Sequence, residues 1–218
     1  MNILEVVKYL VYRTPGVRRL MAPRYGYKIN PGQLAELIRM IDETKDKGGT
    51  VIEIGVGQGD TSVFLLEHLK TTDPKRELFL FDTFNGFTKD SVDYEINERK
   101  KSGGAYRSFK YGNAEIFGDN LKAAGYSNFR IFRGDASLFD WSTIAPISVV
   151  LLDVDLYKPT SEILKKIWQY IMPGGGIVLD DCLENTSWDG SLQAYREFIN
   201  EMNMPFIRVG EKGAALRK

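Results

Sequence analysis

The chain has 218 residues, of which 43% are hydrophobic and 27% charged, values that suit one globular α/β domain with a sizeable core. Lysine plus arginine and aspartate plus glutamate both number 29, so the formal net charge of zero gives no electrostatic reason to expect a nucleic-acid partner. The single cysteine, Cys182, cannot form an internal disulfide, and no apolar run approaches the roughly 20 residues that span a bilayer. We therefore expect a cytoplasmic protein without stable membrane insertion.

Residues 1–45 are predicted to form an N-terminal helical segment. Apolar residues recur at helical spacing between Ile3 and Val11, and Gln33 to Lys45 carries the apolar stripe of an amphipathic helix. Arginines follow the first helix instead of preceding it, which argues against a secretory signal peptide. We expect this helix to pack on the domain or on a second copy of the chain, which would give a homodimer. Contact with an anionic lipid surface is the remaining alternative.

From residue 46 to residue 218, predicted strands and helices alternate within one domain. Short apolar runs bounded by glycine, proline or polar residues predict strands, and longer runs with helical periodicity predict helices. The expected strands are Thr50–Ile54, Leu78–Phe81, Phe129–Phe132, Ser148–Leu152 and Ile177–Leu179, with a final hairpin of Phe206–Val209 and Ala214–Leu216. The expected helices are Asp60–Leu69, Thr160–Tyr170 and Leu192–Met202. The run Pro173–Gly176 is expected to stop the second of them.

This order of elements predicts an α/β fold built on a mostly parallel, seven-stranded sheet with helices on both faces and a C-terminal antiparallel hairpin. Strands that are apolar at nearly every position are typical of a sheet covered on both sides by crossover helices. Ligands of such sheets bind beyond the carboxyl ends of the strands. We expect the functional site there, because acids stand at the predicted strand ends, at Glu53, Asp82, Asp135, Asp153 and the pair Asp180-Asp181.

A glycine-rich turn, Glu53–Gly59, joins the first strand to the next helix. Gly55, Gly57 and Gly59 let the backbone turn sharply and allow a ligand to approach closely. A dinucleotide-binding turn would have its third glycine where Asp60 stands here. Because a carboxylate at the helix N-terminus would repel a pyrophosphate, the turn does not suit a dinucleotide.

S-adenosylmethionine (SAM) fits this acidic turn better than a nucleotide does. It carries no phosphate, and its amino and sulfonium groups are cationic. We expect Glu53 to help hold its amino-acid end, directly or through water. Thr61 and Ser62, at the start of the following helix, are further candidate cofactor contacts.

Two further strand ends carry residues that suit a nucleoside. Asp82 ends the second strand, with Thr83 beside it, where an acid accepts hydrogen bonds from both ribose hydroxyls. Asp135 and Ala136 follow the third strand, where they would line the adenine, with Asp135 accepting from its exocyclic amine. The alternative is that Asp82 is a cap or turn residue and Asp135 a plain turn aspartate.

Carboxylates also follow the next two strands, Asp153 and Asp155 after the fourth and Asp180 and Asp181 after the fifth. Adjacent parallel strands lie about 4.8 Å apart, so these groups converge if the two strands are neighbours. Like charges that close raise each other's pKa unless a cation neutralises them, which a divalent ion such as Mg²⁺ would do. Bound to a substrate hydroxyl, such a metal would lower the pKa of the hydroxyl and ease its deprotonation.

The catalytic role falls to the same acids. His68, the only histidine, lies on the helix after the glycine turn, where we expect a packed or surface side chain. Asp153 and Asp155 are therefore the candidate catalytic groups, with the metal itself as an alternative base. The competing interpretation is a site without metal, in which Asp180 or Asp181 caps the following segment and Asp155 faces solvent.

Four stretches of the sequence together resemble the macrocin O-methyltransferase family, which includes macrolide and aminocoumarin sugar methyltransferases. They are Glu53–Gly59, Phe81–Phe87, Leu152–Thr160 and the run from Pro173 to Asp181, so the resemblance extends from about residue 50 to the C-terminus. Its most specific part is D-x-D-L-Y-x-x-T followed by P-G-G and D-D. The resemblance implies the Rossmann-like fold of class I SAM methyltransferases.

The resemblance also implies SAM-dependent, Mg²⁺-dependent methylation of a sugar hydroxyl, with a saccharide-containing small molecule as the acceptor. It implies metal ligation by Asp153, Asp180 and Asp181, with Asp153 also a candidate general base and cofactor contact. Some relatives are thought to use a histidine just beyond the acidic pair. Here Cys182–Glu184 follow the pair, so that base is missing.

Residues 87–112 mix aromatic side chains with charges and Gly103-Gly104, and such a long irregular segment is typical of a substrate cover. Its aromatic faces suit a sugar ring, but equally a flat aglycone. Three other functions stay open: a catechol- or phenol-type O-methyltransferase, a NAD-binding oxidoreductase and a non-catalytic SAM-binding protein. Asp60 and the glycine spacing argue against NAD, and the acidic cluster argues against a non-catalytic role.

Overall fold

The computed structural model describes residues 2–17, 25–110 and 112–218. Met1, residues 18–24 of the predicted N-terminal helical segment and Tyr111 of the predicted cover lie outside the described residues. The helices are α1 Ile3–Arg13, α2 Pro31–Glu43, α3 Asp60–Thr72, α4 Lys89–Asn97, α5 Ala114–Ala123, α6 Tyr157–Ile167 and α7 Gly190–Glu201. The strands are β1 Thr50–Ile54, β2 Leu78–Asp82, β3 Phe129–Arg133, β4 Ile147–Leu152, β5 Ile171–Leu179, β6 Ile207–Val209 and β7 Gly213–Arg217.

Within the described residues, seven strands form one sheet in the order β3-β2-β1-β4-β5-β7-β6. Strands β1 to β5 pair in parallel, and β7 pairs antiparallel with both β5 and β6. The predicted α/β sheet with a C-terminal hairpin is therefore confirmed. The strand order reverses at the neighbours β1 and β4, and ligands of open α/β sheets bind in the crevice at such a reversal.

Helices cover both faces of the sheet, because successive strand residues enter two different apolar clusters. Along β4, Val149 and Leu151 join the cluster that contains side chains of α2 and α3. Val150 and Leu152 join the cluster that contains side chains of α6 and α7. Every residue of β4 is buried, so this two-sided packing holds the carboxyl end of the central strand in place.

The two predicted N-terminal helices pack differently. α2 begins with a capping box formed by Asn30 and Gln33, and it buries Leu37 and other apolar side chains against the sheet. α1 buries none of its residues, and large apolar side chains such as Ile3 are exposed. The homodimer through α1 and the domain boundary at residue 45 stay predictions. In the part of the chain that the structure describes, no helix combines the length and the apolar character needed to cross a membrane.

The proline-glycine run lies inside β5, which corrects the prediction that it only stops the preceding helix. α6 and a 3-10 turn end at Tyr170, and β5 starts directly afterwards at Ile171. A Cβ at Gly175 would lie 2.3 Å from the carbonyl oxygen of Ser148, and one at Gly176 would lie 2.3 Å from that of Leu216. The glycines therefore allow β4 and β7 to approach β5 closely.

The predicted irregular cover is partly helical, and the helix that follows it is absent from the sequence predictions. α4 lies within residues 87–112, and the side chain of Thr88 caps it by accepting a hydrogen bond from the Ser91 backbone. α5 begins after Asn113, whose side chain accepts from two backbone N–H groups. Both helices are short and bury only two residues each, so neither gives a clear apolar periodicity.

Candidate active site

The glycine-rich turn lies between β1 and α3 and closely approaches the end of β4. Gly55 has a φ of +90°, and a Cβ there would lie 1.8 Å from the carbonyl oxygen of Asp153. Gly59 also has a φ of +90°, and a Cβ there would meet the ring of Phe117 at 2.6 Å. At Gly57 the φ is +52°, with nothing within 4 Å of an added Cβ. The turn is thus packed at its two ends and open in the middle.

Glu53 lies buried beneath this turn, at the carboxyl half of β1. Its Oε2 accepts a hydrogen bond of 2.5 Å from the hydroxyl of Ser62 on α3. Burial is the main cause that raises the pKa of Glu53 from 4.5 to about 8; the hydrogen bond from Ser62 lowers it and the nearby charge of Asp82 raises it, and both effects are included in this value. Glu53 borders the cleft, whereas Ser62 is buried behind it and reaches the cleft through Glu53.

Replacing Glu53 by glutamine is expected to stabilise the ligand-free protein progressively as the pH rises. Because the folded pKa is about 8 and the unfolded value about 4.5, the native chain keeps an extra proton between these values. The stability contribution of Glu53 is therefore greatest below pH 4.5 and is lost up to about pH 8. Glutamine avoids this loss, which reaches roughly 3 kcal/mol at neutral pH.

Urea unfolding at pH 5, 6.5 and 8 checks this expectation. The control is Glu201→Gln, at an exposed position at the end of α7. An advantage of Glu53→Gln that stays the same at all three pH values would contradict the assignment of a raised pKa to Glu53.

Asp82 at the end of β2 supports the glycine-rich turn from the neighbouring strand. Its Oδ2 accepts hydrogen bonds from the backbone N–H groups of Val56 at 2.9 Å and Gly57 at 3.4 Å. Its Oδ1 accepts from the Phe84 backbone at 2.7 Å. The observed role of Asp82 is therefore to hold the backbone of the turn. Asp82 also borders the cleft, and its contact with ribose hydroxyls stays a prediction.

The remaining predicted cofactor contacts also border the cleft. Thr83 donates a hydrogen bond of 2.6 Å to the carbonyl oxygen of Gly86. Asp135 accepts one of 2.9 Å from the Ser137 backbone, which caps the 3-10 turn that begins at Ala136. Thr61 lies at the start of α3 and also lines the cleft. Thr83 and Asp135 thus have structural partners of their own, and the roles of all four residues toward a cofactor stay predictions.

Three carboxylates converge at the ends of β4 and β5. Oxygen atoms of Asp153, Asp155 and Asp181 all lie within 4.8 Å of one another. Asp155 and Asp181 have φ values of +59° and +52°, a region that costs a residue other than glycine free energy. The chain thus leaves the pleat of both strands just where these side chains turn toward Asp153.

Asp180 is adjacent to this cluster, but both of its oxygens have protein partners. Oδ1 accepts a hydrogen bond of 2.9 Å from Gln33 at the start of α2. Oδ2 accepts one of 2.5 Å from Lys212, in the turn between β6 and β7. Lys212 also donates to Asp181 at 3.1 Å. The structure therefore groups Asp153 with Asp155 and Asp181, whereas the resemblance implied Asp153, Asp180 and Asp181.

Sequence reasoning missed Gln33 and Lys212. Gln33 has the position of a capping residue, and only the fold brings its amide to Asp180 from 147 residues away. Lys212 stands in a short polar turn that resembles any hairpin loop. No sequence signal on either residue indicates a contact with the acidic cluster.

The cluster carries more negative charge than the protein itself neutralises. Burial raises the pKa of Asp153 well above its ordinary value, and the charges of Asp180, Asp155 and Asp181 add to this effect. Burial and the neighbouring Asp181 likewise raise the pKa of Asp155. Burial alone would lower the pKa of Lys212, but its contacts with Asp180 and Asp181 raise it, so this residue stays charged.

The donor set fits a small divalent cation. Three carboxylate oxygens can contact one ion together, and Mg²⁺ prefers hard oxygen ligands and is commonly held by only one or two carboxylates with water. A cation would also relieve the repulsion that raises the pKa values of Asp153 and Asp155. Asp153, Asp155 and Asp181 are therefore the residues that could hold it.

One cleft of about 360 Å³ joins the glycine-rich turn to the carboxylate cluster. Asp60, the first residue of α3, borders it, as expected for a site that does not take a pyrophosphate. Phe87 and Phe109 from the predicted cover also border it. His68 is not among the lining residues and instead contacts Asp42 at 2.8 Å.

The family profile of the macrocin-O-methyltransferases (TylF) matches residues 22–218. The chain belongs to the macrocin-O-methyltransferase family. The resemblance inferred from four sequence stretches is thereby confirmed, and the matched region begins before the first of those stretches. It includes α2, which supplies Gln33 to this family member's acidic cluster.

Individual relatives of this macrocin-O-methyltransferase family member are distant in sequence. The 8-demethyl-8-(2,3-dimethoxy-alpha-L-rhamnosyl)-tetracenomycin-C 4'-O-methyltransferase of Streptomyces olivaceus is 25% identical over 137 residues, which cover 61% of this chain. The chain spans about half the length of that relative, 52%.

Two solved structures share the fold of this family member. The calicheamicin methyltransferase CalS11 has a TM-score of 0.69 at 19% identity, with 100% of this chain and 93% of that chain covered. The O-methyltransferase NovP has a TM-score of 0.68 at 18% identity, with 86% and 79% covered. These likenesses confirm the predicted Rossmann-like fold of class I SAM methyltransferases.

Proposed function

We propose that this chain is a SAM-dependent, divalent-metal-assisted O-methyltransferase that acts on a hydroxyl of a sugar or glycosylated small molecule. The observation that carries the proposal is one cleft that contains both the glycine-rich turn and the three converging carboxylates. A cofactor site without the cluster would explain binding alone, and a cluster without the turn would lack a methyl donor.

The relatives support the acceptor class. The curated relative is named as the 4'-O-methyltransferase of a tetracenomycin that carries a rhamnosyl group. The family itself is named after methylation of macrocin. Since identity to the curated relative is 25%, the names suggest a saccharide and leave the individual molecule open.

The residues of the cleft divide the work as follows. Glu53 and Asp82, which line the cleft, would hold the cationic and hydroxylated parts of the cofactor, and Asp135 would hold its base. When bound, SAM supplies an electrophilic methyl group, and a divalent cation beside the carboxylates would lower the pKa of the acceptor hydroxyl. Asp153 or Asp155, whose carboxylates lie beside the same cluster, would accept the hydroxyl proton.

The proposal predicts methyl transfer that depends on both cofactors. Purified protein is incubated with SAM carrying a labelled methyl group, with or without EDTA, and with a panel of 6-deoxyhexosides, hexosides and catechols. We expect labelled methyl ethers from the glycosides and their loss by at least about 100-fold in EDTA, restored by added Mg²⁺.

Calorimetry with S-adenosylhomocysteine (SAH) accompanies this assay. Absence of SAH binding at millimolar concentration would contradict the SAM site. Methylation of catechols alone would replace the sugar acceptor by a phenolic one, and full activity in EDTA would contradict the metal.

A further inference from the structure

The predicted cover lines a second, open cleft, which we call the basic cleft. Its charged lining residues are Lys89, Arg107 and Lys110, and its apolar wall includes Phe87 and Tyr106. Phe87 also borders the cleft that contains the carboxylate cluster. The two clefts are therefore neighbours that share one aromatic wall.

The basic cleft has the opposite charge from the first one. Within the described residues, no carboxylate borders it, whereas Asp60, Asp153 and other acids line the first cleft. Lys89 contacts Asp93 on the same helix. Arg107 and Lys110 have no ion pair within 4.0 Å among the described residues, and both are exposed. Two cations thus face a concave surface with no acidic partner there.

Contacts with the loop before α7 hold the segment that supplies these cations. The hydroxyl of Tyr106 donates a hydrogen bond of 2.9 Å to the carbonyl oxygen of Ser187. Lys101 contacts Asp189 at 2.6 Å, and the rings of Phe87 and Trp188 lie 5.7 Å apart. Tyr106 is 3% exposed, so Arg107 directly follows a fixed residue. Arg107 is therefore presented by an anchored part of the segment.

We propose that the basic cleft binds the diphosphate of an acceptor whose sugar is carried on a diphosphate group. This inference rests on the proposed function, because it places the sugar against Phe87 with its hydroxyl toward the carboxylates. The guanidinium of Arg107 matches phosphate oxygens in a two-point contact, and Lys110 adds a point charge. The charge of the diphosphate would otherwise be repelled by the acids of the first cleft.

Calorimetry in EDTA tests the basic cleft with inorganic pyrophosphate as the probe. The variant is Arg107→Gln with Lys110→Gln, and both positions are exposed, so folding is not at risk. The matched control is Lys45→Gln with Lys75→Gln, two exposed positions that precede β1 and β2 and so lie toward the amino ends of these strands. We expect the native chain and the control to bind pyrophosphate alike, and the variant at least about tenfold more weakly.

Two further ligands identify the diphosphate carrier. Uridine diphosphate represents a nucleotide carrier and geranyl diphosphate a lipid carrier. The ligand that binds more tightly identifies the class of carrier. Three results would overturn the inference. They are the failure of the native chain to bind pyrophosphate at millimolar concentration, an equal loss of pyrophosphate affinity in the variant and the control, and binding of sulfate as tight as that of pyrophosphate. SAH affinity is measured on every protein. If SAH binds and pyrophosphate does not, only the basic cleft fails, whereas loss of SAH binding by the native chain refutes the proposed function.

Discussion

Asp153→Asn is expected to make the metal-free protein more stable and to abolish its activity. In the native chain, the half-buried carboxylate of Asp153 lies beside Asp155, Asp180 and Asp181, and desolvation together with these charges raises its pKa well above the ordinary value. The folded protein therefore binds an extra proton, and its stability falls as the pH rises above the ordinary pKa of an aspartate. Asparagine removes one charge from this cluster at nearly constant volume.

The stability gain should be about 1 kcal/mol or more at pH 7.5 and should shrink toward pH 4. Methyl transfer should fall by about 100-fold or more, because the variant loses a metal ligand and a candidate base together. Thermal unfolding and the labelled methyl assay check the two effects on the same preparations. Added Mg²⁺ should raise the melting temperature of the native chain more than that of the variant.

The control for Asp153→Asn is Asp119→Asn, at an exposed position on α5. It should leave stability, metal response and activity unchanged within experimental error. A metal-free Asp153→Asn protein that is less stable than the native chain would contradict the repulsion argued for the cluster. Retained activity in this variant would remove Asp153 from the reaction.

Gly55→Ala is expected to destabilise the protein severely or to prevent folding. The alanine Cβ would lie 1.8 Å from the carbonyl oxygen of Asp153, which belongs to the backbone and cannot rotate away. The φ of +90° adds strain for any residue with a side chain. To relieve the clash, β1 and β4 would have to separate at the site, which should cost about 3 kcal/mol or more.

Gly57→Ala is the matched comparison two residues further along the same turn. Its φ of +52° is a backbone conformation that costs alanine free energy, but nothing lies within 4 Å of the added Cβ. We expect a loss of only about 1 kcal/mol and a folded protein. Urea unfolding of both variants measures the difference. Equal stability of the two would show that Gly55 is not in close contact with the end of β4.

The sequence allowed the fold to be predicted where apolar periodicity was strong. β4 is a continuous apolar run, and its burial on both faces follows directly. The prediction was less complete around α4 and α5, which depend on the caps Thr88 and Asn113 more than on apolar stripes. The sequence pattern predicts a helix stop at Gly175, because a close approach between strands cannot be distinguished from a turn in a single sequence.

Only part of the candidate site could be predicted, because some of its contacts join residues that are distant in the sequence. Acids at strand ends are visible in the sequence, and the fold does bring Asp153, Asp155 and Asp181 together. Which acid of the neighbouring pair turns inward depends on backbone φ values and on distant partners. Asp180 is held by Gln33 and Lys212, and contacts that far apart in the chain leave no local pattern.

The most direct test of the account is a crystal structure of the protein with SAH and Mn²⁺, collected for anomalous scattering of the metal. We expect one peak within about 2.5 Å of carboxylate oxygens from Asp153, Asp155 and Asp181, beside SAH in the cleft above the glycine-rich turn. A peak at another place, or SAH bound with no metal at these three residues at saturating Mn²⁺, would contradict the account.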